Sequence, residues 1–284
     1  MDGFIFLDKS EGVTSTQEDS KIKSIFLTKK VGHVGTLDPF ATGLLIIGVN
    51  KGTKAITFFD DFSKEYIATI KLGIETDSLD KTGKMVATKE VPNLSKNKIV
   101  EVLNSFLGKS QQLPPMTSAI HVNGQKLYKL AHQGKEVERP LRNIEIFEIE
   151  LLDFTSEEIT FRALVSKGTY VRVLGSDIAK RLNTVGHLSS LRRTKVGPFS
   201  IELAHKVEDV SIDLLVSTYD VLKEFSSTVA FNEKKIEDIK NGKIKFLEGN
   251  FSRDKLLVVD SNKNAIAMYL KDKDGRYQFT RGLF

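Results

Sequence analysis

The sequence predicts an α+β fold built on an antiparallel or mixed, mainly antiparallel sheet, followed by a small β-rich module. Three observations carry this expectation. Strand-like and helix-like runs alternate without a repeating βα unit, which argues against a doubly wound parallel sheet. Hydrophobic residues make up 40% and charged residues 28% of the 284, an ordinary balance for a chain that buries its own core. After Ser226 and Ser227 the text changes to short strands with tight turns, so we expect domains at 1–226 and 227–284.

The elements follow in order. Residues 3–7 (GFIFL) read as a first strand. Ser15 and Glu18 form an S-x-x-E capping box ahead of Ile22, Ile25 and Phe26 at helical spacing. The apolar run 44–49 reads as a buried strand, and 66–72 (YIATIKL) as a half-exposed one. Ser95 caps a helix with Ile99, Val102, Leu103 and Phe106 on its buried stripe, and Gly108-Lys109-Ser110 reads as that helix's C-terminus. Strands are expected at 144–154 and 159–165, then a helix from Tyr170 or Val171 toward Leu182. Beyond 226 come a short helix ending at Gly242 and the strands KIKF, LLVVDS and AIAMYL, with turns at 262–264 and 272–275.

Composition removes several chemistries. With no cysteine there are no disulfides, no thiolate nucleophile and no Cys-containing zinc site. There is no Gly-x-Gly-x-x-Gly, and Leu103 stands where a Walker-type loop needs its first glycine. His33, His121, His132, His187 and His205 are scattered without ligand spacing, so neither metal nor cofactor is expected. The apolar runs are too short for a signal peptide or a span of about 20 residues, which makes a cytoplasmic location without membrane association the expectation. Net charge is +5, and between Asp177 and Glu202 there is no acidic residue while Lys180, Arg181, Arg192, Arg193 and Lys195 all occur. A one-signed surface of that kind attracts a phosphate backbone.

Three segments could carry chemistry. Gly32-His33-Val34-Gly35-Thr36-Leu37-Asp38-Pro39-Phe40-Ala41-Thr42-Gly43 is a glycine-rich loop that can hold one carboxylate close to a ligand, though an Asp-Pro turn can also be only a turn. Ser166-Lys167-Gly168-Thr169-Tyr170-Val171-Arg172 could present a ring and a guanidinium to one cleft, where Arg172 could orient Asp38 and keep it ionised; a surface arginine at a helix start has the same spelling. Gln112-Leu113-Pro114-Pro115-Met116-Thr117-Ser118-Ala119 is a stiff extended loop leading to Gly124-Gln125-Lys126-Leu127-Tyr128.

Together these segments resemble the TruB-type tRNA pseudouridine-55 synthases, in order and over nearly the whole chain. GHVGTLDPFATGLL matches the family's catalytic motif, with Asp38 on its catalytic aspartate. Lys64-Glu65-Tyr66 matches the second motif, whose tyrosine packs on the target base, and SKGTYVR the third, where Arg172 would pair with Asp38. Leu191-Arg192-Arg193-Thr194 matches the late motif, with Leu191 lining the base pocket. The opening Lys9-x-x-Gly12-x-Thr14-Ser15 and the Thr76-Asp77-Ser78-x-Asp80-x-x-Gly83 run agree as well. Ser10, His121 and His132 depart from the pattern.

The resemblance implies a pseudouridine synthase catalytic domain with a PUA-like C-terminal domain that binds RNA. It implies a uridine in the tRNA T-loop as substrate, extruded from its stack, with His33 filling the vacated space. Tyr170 joins Tyr66, Arg172 and Leu191 as substrate-binding, and Lys9, Lys180, Arg181, Arg192, Arg193 and Lys195 are candidate backbone contacts. The carboxylate could attack C1′, attack C6, or remove the 2′ proton to form a glycal, the route we favour. The partner is the tRNA T-arm, and a monomer without an obligatory protein partner is expected. The alternative is a non-catalytic tRNA-binding or folding chaperone of the same fold. A guide-RNA-dependent relative and a hydrolase rank lower, the hydrolase because Asp38 has no paired acid or histidine at readable spacing.

Overall fold

The computed structural model describes residues 1–116 and 137–284, with the backbone of two short strands between them. The chain opens with β1 (Gly3–Lys9), α1 (Ser15–Ile25), β2 (Val31–Val34) and β3 (Thr42–Val49), then a 3₁₀ helix over Asn50–Phe59. Next come β4 (Lys64–Leu72), β5 (Ile74–Thr76), β6 (Met85–Thr88), α2 (Lys96–Asn104), β7 (Gly108–Gln112) and the short pair β8 (His121–Val122) and β9 (Gln125–Lys126). The long strands β10 (Arg142–Phe154) and β11 (Glu158–Val165) precede α3 (Val171–Arg181) and β12 (Gly186–Val196). After β13 (Phe199–Ser200), β14 (Val216–Ser217) and α4 (Thr218–Leu222), the chain ends in β15 (Ser227–Ala230), α5 (Glu233–Lys240), β16 (Phe246–Leu247), β17 (Lys255–Val259), β18 (Ala265–Lys271) and β19 (Tyr277–Gly282).

The architecture is α+β, as expected, and the chain forms two compact units. One unit comprises Pro39–Gly43 and Asp61–Gly197. Its sheet runs β12-β4-β11-β10-β7, antiparallel throughout, and the first residues of β3 add a parallel pairing of Thr42 with Arg192 and Gly43 with Arg193. Helix α3 packs on this sheet through glycine. A Cβ on Gly175 would lie 2.6 Å from Leu188 Cδ2, and one on Gly186 would lie 2.9 Å from Ala179 Cβ. Only a missing side chain lets helix and sheet approach this closely.

The other unit comprises Met1–Asp38, Leu44–Asp60 and Pro198–Phe284. It contains β14-β1-β3, with β2 antiparallel to β3, and a separate five-stranded sheet in the order β15-β17-β18-β19-β16. Phe4 lies 5.3 Å from Phe59 and Phe59 lies 5.1 Å from Phe225, ring centroid to centroid. Such pairs add about 0.5–1.5 kcal/mol each beyond the area they bury. The C-terminal sheet has its own core of Ile236, Ile239, Leu247, Leu256, Val258, Ile266, Ala267, Tyr269 and Tyr277. Lys255 Nζ donates to the Phe58 carbonyl at 2.8 Å, and Lys54 Nζ to that of Phe284. The first strand of this sheet starts at Ser227, within the stretch Pro198–Phe284 that forms one unit with Met1–Asp38 and Leu44–Asp60.

Four local expectations are corrected. The cap of α1 is Thr14, whose hydroxyl accepts from Gln17 N–H at 3.1 Å while Gln17 Oε1 accepts from Thr14 N–H at 2.7 Å. The box is therefore T-x-x-Q, one residue before Ser15 and Glu18, which frees both for other uses. Gly108 at φ +90° opens β7, paired with β10, rather than closing a helix. Of KIKF only Phe246 is in a strand. The central strand β12 has no counterpart among the expected elements. Thr117–Ala119, Gly124, Leu127, Tyr128 and His132 lie outside the described residues, as do the side chains of His121, Gln125 and Lys126.

Candidate active site

The loop carrying Asp38 is held by helix α1. Ser15, at its first turn and 1% exposed, uses one hydroxyl twice: Oγ accepts from Leu37 N–H at 3.0 Å and donates to Leu37 C=O at 3.2 Å. Both polar groups of Leu37 are thereby satisfied away from water, fixing the backbone immediately before Asp38. One turn further along the same helix face, Asp19 Oδ2 meets His33 Nδ1 at 2.8 Å. His33 Nε2 lies 3.1 Å from Thr36 Oγ1, so both ring nitrogens are engaged. Asp38 itself is half-buried, in irregular backbone between β2 and β3.

The other expected site residues belong to the second unit. Register places Tyr66 opposite Ala163 and Arg193, and Ala68 opposite Phe161 and Leu191. Directly opposed residues point to the same side of an antiparallel sheet, so Tyr66 and Leu191 share one face. Both are buried. Helix α3 covers that face too, since Gly175 abuts Leu188 and Ile70. Tyr170 is the cap residue of α3, and its backbone is clamped by buried Gln112: Tyr170 N–H donates to Oε1 at 2.8 Å, and Nε2 donates to Tyr170 C=O at 3.1 Å.

Arg172, in the first turn of α3, is 4% exposed. Its Nη1 donates to the Ser78 carbonyl at 2.7 Å and lies 3.3 Å from Asp80 Oδ2. Asp80 is fixed from its other side, Oδ1 accepting from Ser78 Oγ at 2.9 Å, Thr82 N–H at 2.9 Å and Thr82 Oγ1 at 2.5 Å. The Thr76–Gly83 run thus folds into a cup for the guanidinium. Gly83 must be glycine, because a Cβ there would sit 2.3 Å from Ser78 Oγ. Breaking such a buried pair from one side costs about 3–5 kcal/mol.

The basic residues divide. Lys9 is fully buried, donating to the carbonyls of Ser10 at 2.9 Å and Val13 at 2.7 Å, and Arg193 is 1% exposed. Both are expected as phosphate-backbone contacts, but both are interior; Lys9 is tolerated there because its amine satisfies two buried carbonyls. Lys180 pairs with Glu75 at 3.1 Å and Lys195 with Glu65 at 3.5 Å, while Arg181 donates to Ser105 and stacks on Phe106. The segment is one-signed in sequence only; neighbouring strands bring the acids in. Burial pushes the Glu65 carboxyl up, but the Thr194 hydroxyl, Arg162 and Lys195 outweigh it and hold the group below its ordinary value. Arg192 Nη1 reaches Thr42 Oγ1 at 3.5 Å. Lys109, Arg142 and Lys167, not expected as a group, line a cavity of about 970 Å³ beside β7 and β10.

Ser15, Asp80 and Gln112 stand in segments the sequence singles out, but their supporting contacts were not foreseen there, and Asp19 was not singled out at all. Asp19 had a signal, since it lies three positions before buried Ile22 and so on the helix's inner face.

With this geometry in view, relatives are informative. Over 244 residues, covering 85% of this chain and 80% of the relative, it is 42% identical to a tRNA pseudouridine synthase B of Hydrogenovibrio crunogenus. A tRNA pseudouridine synthase B of Francisella philomiragia is 46% identical over 211 residues, 74% of this chain and 70% of that one. In fold, the chain resembles a Cbf5–Nop10–Gar1 complex, with TM-score 0.75 at 23% identity over 99% of this chain and 85% of that one. The two sequence relatives define the class as pseudouridine synthase, an isomerase. Residues 23–171 match the TruB family pseudouridylate synthase N-terminal domain, and 172–224 the tRNA pseudouridylate synthase B C-terminal domain. The chain belongs to the TruB family of pseudouridylate synthases.

Proposed function

We propose that the protein isomerises one uridine of tRNA, position 55 in the T-loop, with Asp38 as its catalytic carboxylate. The observation that carries the role of Asp38 is the double grip of Ser15 on Leu37, which fixes the carboxylate's backbone in a segment without regular structure. The names of the relatives support tRNA as substrate.

The N1–C1′ bond breaks, the uracil turns, a C5–C1′ bond forms, and the C5 proton is lost as N1 gains one, so atoms balance without a co-reactant. Asp38 supplies the base or nucleophile; in the glycal route it takes the 2′ proton and returns it. Arg172 orients Asp38 in this reading. Tyr66 packs on the base, Leu191 closes the pocket, Tyr170 adds a ring at its edge, and the apolar surround keeps detached uracil from escaping. His33 takes the place of the extruded base. Phosphate contacts fall to Lys180, Arg181, Arg192 and Lys195 and to the Lys109–Arg142–Lys167 cavity, while buried Lys9 and Arg193 serve as internal struts. The module 227–284 acts as a PUA-like grip on the T-arm, and the protein works as a cytoplasmic monomer.

The test is conversion of an in vitro transcribed tRNA by wild type and Asp38→Asn, without added metal or nucleotide. Asp38→Asn is expected to lose activity by on the order of 10⁴-fold or more while still binding tRNA. A folded, tRNA-binding wild type that converts nothing would overturn the reading.

A further inference from the structure

We propose that Asp19 is a positioning residue for His33, holding the imidazole ready to replace the base that leaves the RNA stack. The inference rests on the reading above for the role of His33 and adds the residue that sets its posture. A carboxylate only accepts, so the 2.8 Å contact requires the proton on His33 Nδ1. That fixes the tautomer and directs Nε2 at Thr36 Oγ1, 3.1 Å away. With a partner at each end, the ring has one orientation.

Asp19 is placed to hold this bond. Its side chain is 9% exposed, and its second oxygen, Oδ1, is buried with no hydrogen-bond partner among the described residues. The imidazole N–H is therefore the principal partner of a carboxylate already removed from water, and losing it would leave a buried anion poorly satisfied. The helix supplies rigidity: Ser15 and Asp19 lie one turn apart on α1, so the element that fixes the backbone before Asp38 also fixes the ring five residues earlier. A base leaving its stack pays unstacking energy, and a flat ring already oriented offsets that cost without first being ordered itself.

The experiment uses the full chain and a T-arm RNA with 2-aminopurine beside the target uridine, so that fluorescence reports extrusion and single-turnover assays report conversion. Asp19→Leu fills the buried space without an acceptor; Asp19→Asn retains one. Melting temperatures establish that each variant is folded. Asp19→Leu is expected to slow extrusion about tenfold and Asp19→Asn about two- to threefold, and Asp19→Leu/His33→Ala should be no slower than His33→Ala alone. A folded Asp19→Leu that extrudes at the wild-type rate, or effects of the two sites that simply multiply, overturns this inference and leaves the parent reading intact. A wild type that binds the RNA but neither extrudes nor converts overturns both.

Discussion

At the scale of single residues, the site depends on side chains that do no chemistry. Ser15→Ala orphans a donor and an acceptor on Leu37 together, and a buried polar group left unsatisfied costs about 1–3 kcal/mol. Because the loss falls beside Asp38, we expect kcat to drop more than KM changes, read in steady-state kinetics with the melting temperature as control. Asp80→Asn should weaken the cup around Arg172 and reduce kcat/KM by roughly tenfold, while Gln112→Glu would place a second acceptor against the Tyr170 carbonyl and loosen the start of α3. The sequence pointed to Asp38, Tyr66, Arg172 and Leu191 through their motifs. It did not reveal the Asp80 partnership, because residues 80 and 172 meet only through tertiary folding, and nothing local records that.

Elements were legible where burial is one-sided and regular. Strands β1, β3, β4, β10 and β11 and helices α1, α2 and α3 lie where periodicity places them, within a few residues. The strand that escaped is β12, and its reason is physical. Pairing with β4 shifts register between Leu188 and Ser190 and again between Arg193 and Lys195, so its inward residues break strict alternation. A buried arginine in the middle completes the disguise. Gly43 makes the pairing with β3 possible: its φ is +102°, and a Cβ would lie 2.3 Å from the Arg193 carbonyl oxygen. Gly43→Ala should therefore destabilise by more than about 2 kcal/mol, seen as a lower urea midpoint, and disturb the Asp38 loop five residues upstream.

For the molecule as a whole, charge and acidity set the working range. The Glu65 carboxyl is held below its ordinary value of 4.5, so its contribution is present at neutral pH and is lost as pH falls through the folded value. Asp177 runs the other way: burial raises it above 3.8, with Lys180 and Arg181 opposing, so the folded state prefers the protonated form and loses stability as pH rises through the folded value. Asp177→Asn is therefore expected to raise the melting temperature at pH 7 and to make no difference near pH 3. The C-terminal change of texture was legible at this scale, but the compact unit into which residues 198–284 fall was not, because that grouping depends on contacts such as Lys255 with Phe58 across some two hundred positions. No helix among the described residues is long and apolar enough to cross a membrane.

The bond from Leu37 N–H to Ser15 also acts as a clock. Amides in irregular surface segments trade their protons with solvent quickly, whereas this one is sequestered against a hydroxyl from a helix more than twenty positions earlier. In deuterated water Leu37 should stay protonated long after Gly35 and Thr36 have exchanged, and its lifetime then measures how often α1 releases the segment that bears Asp38.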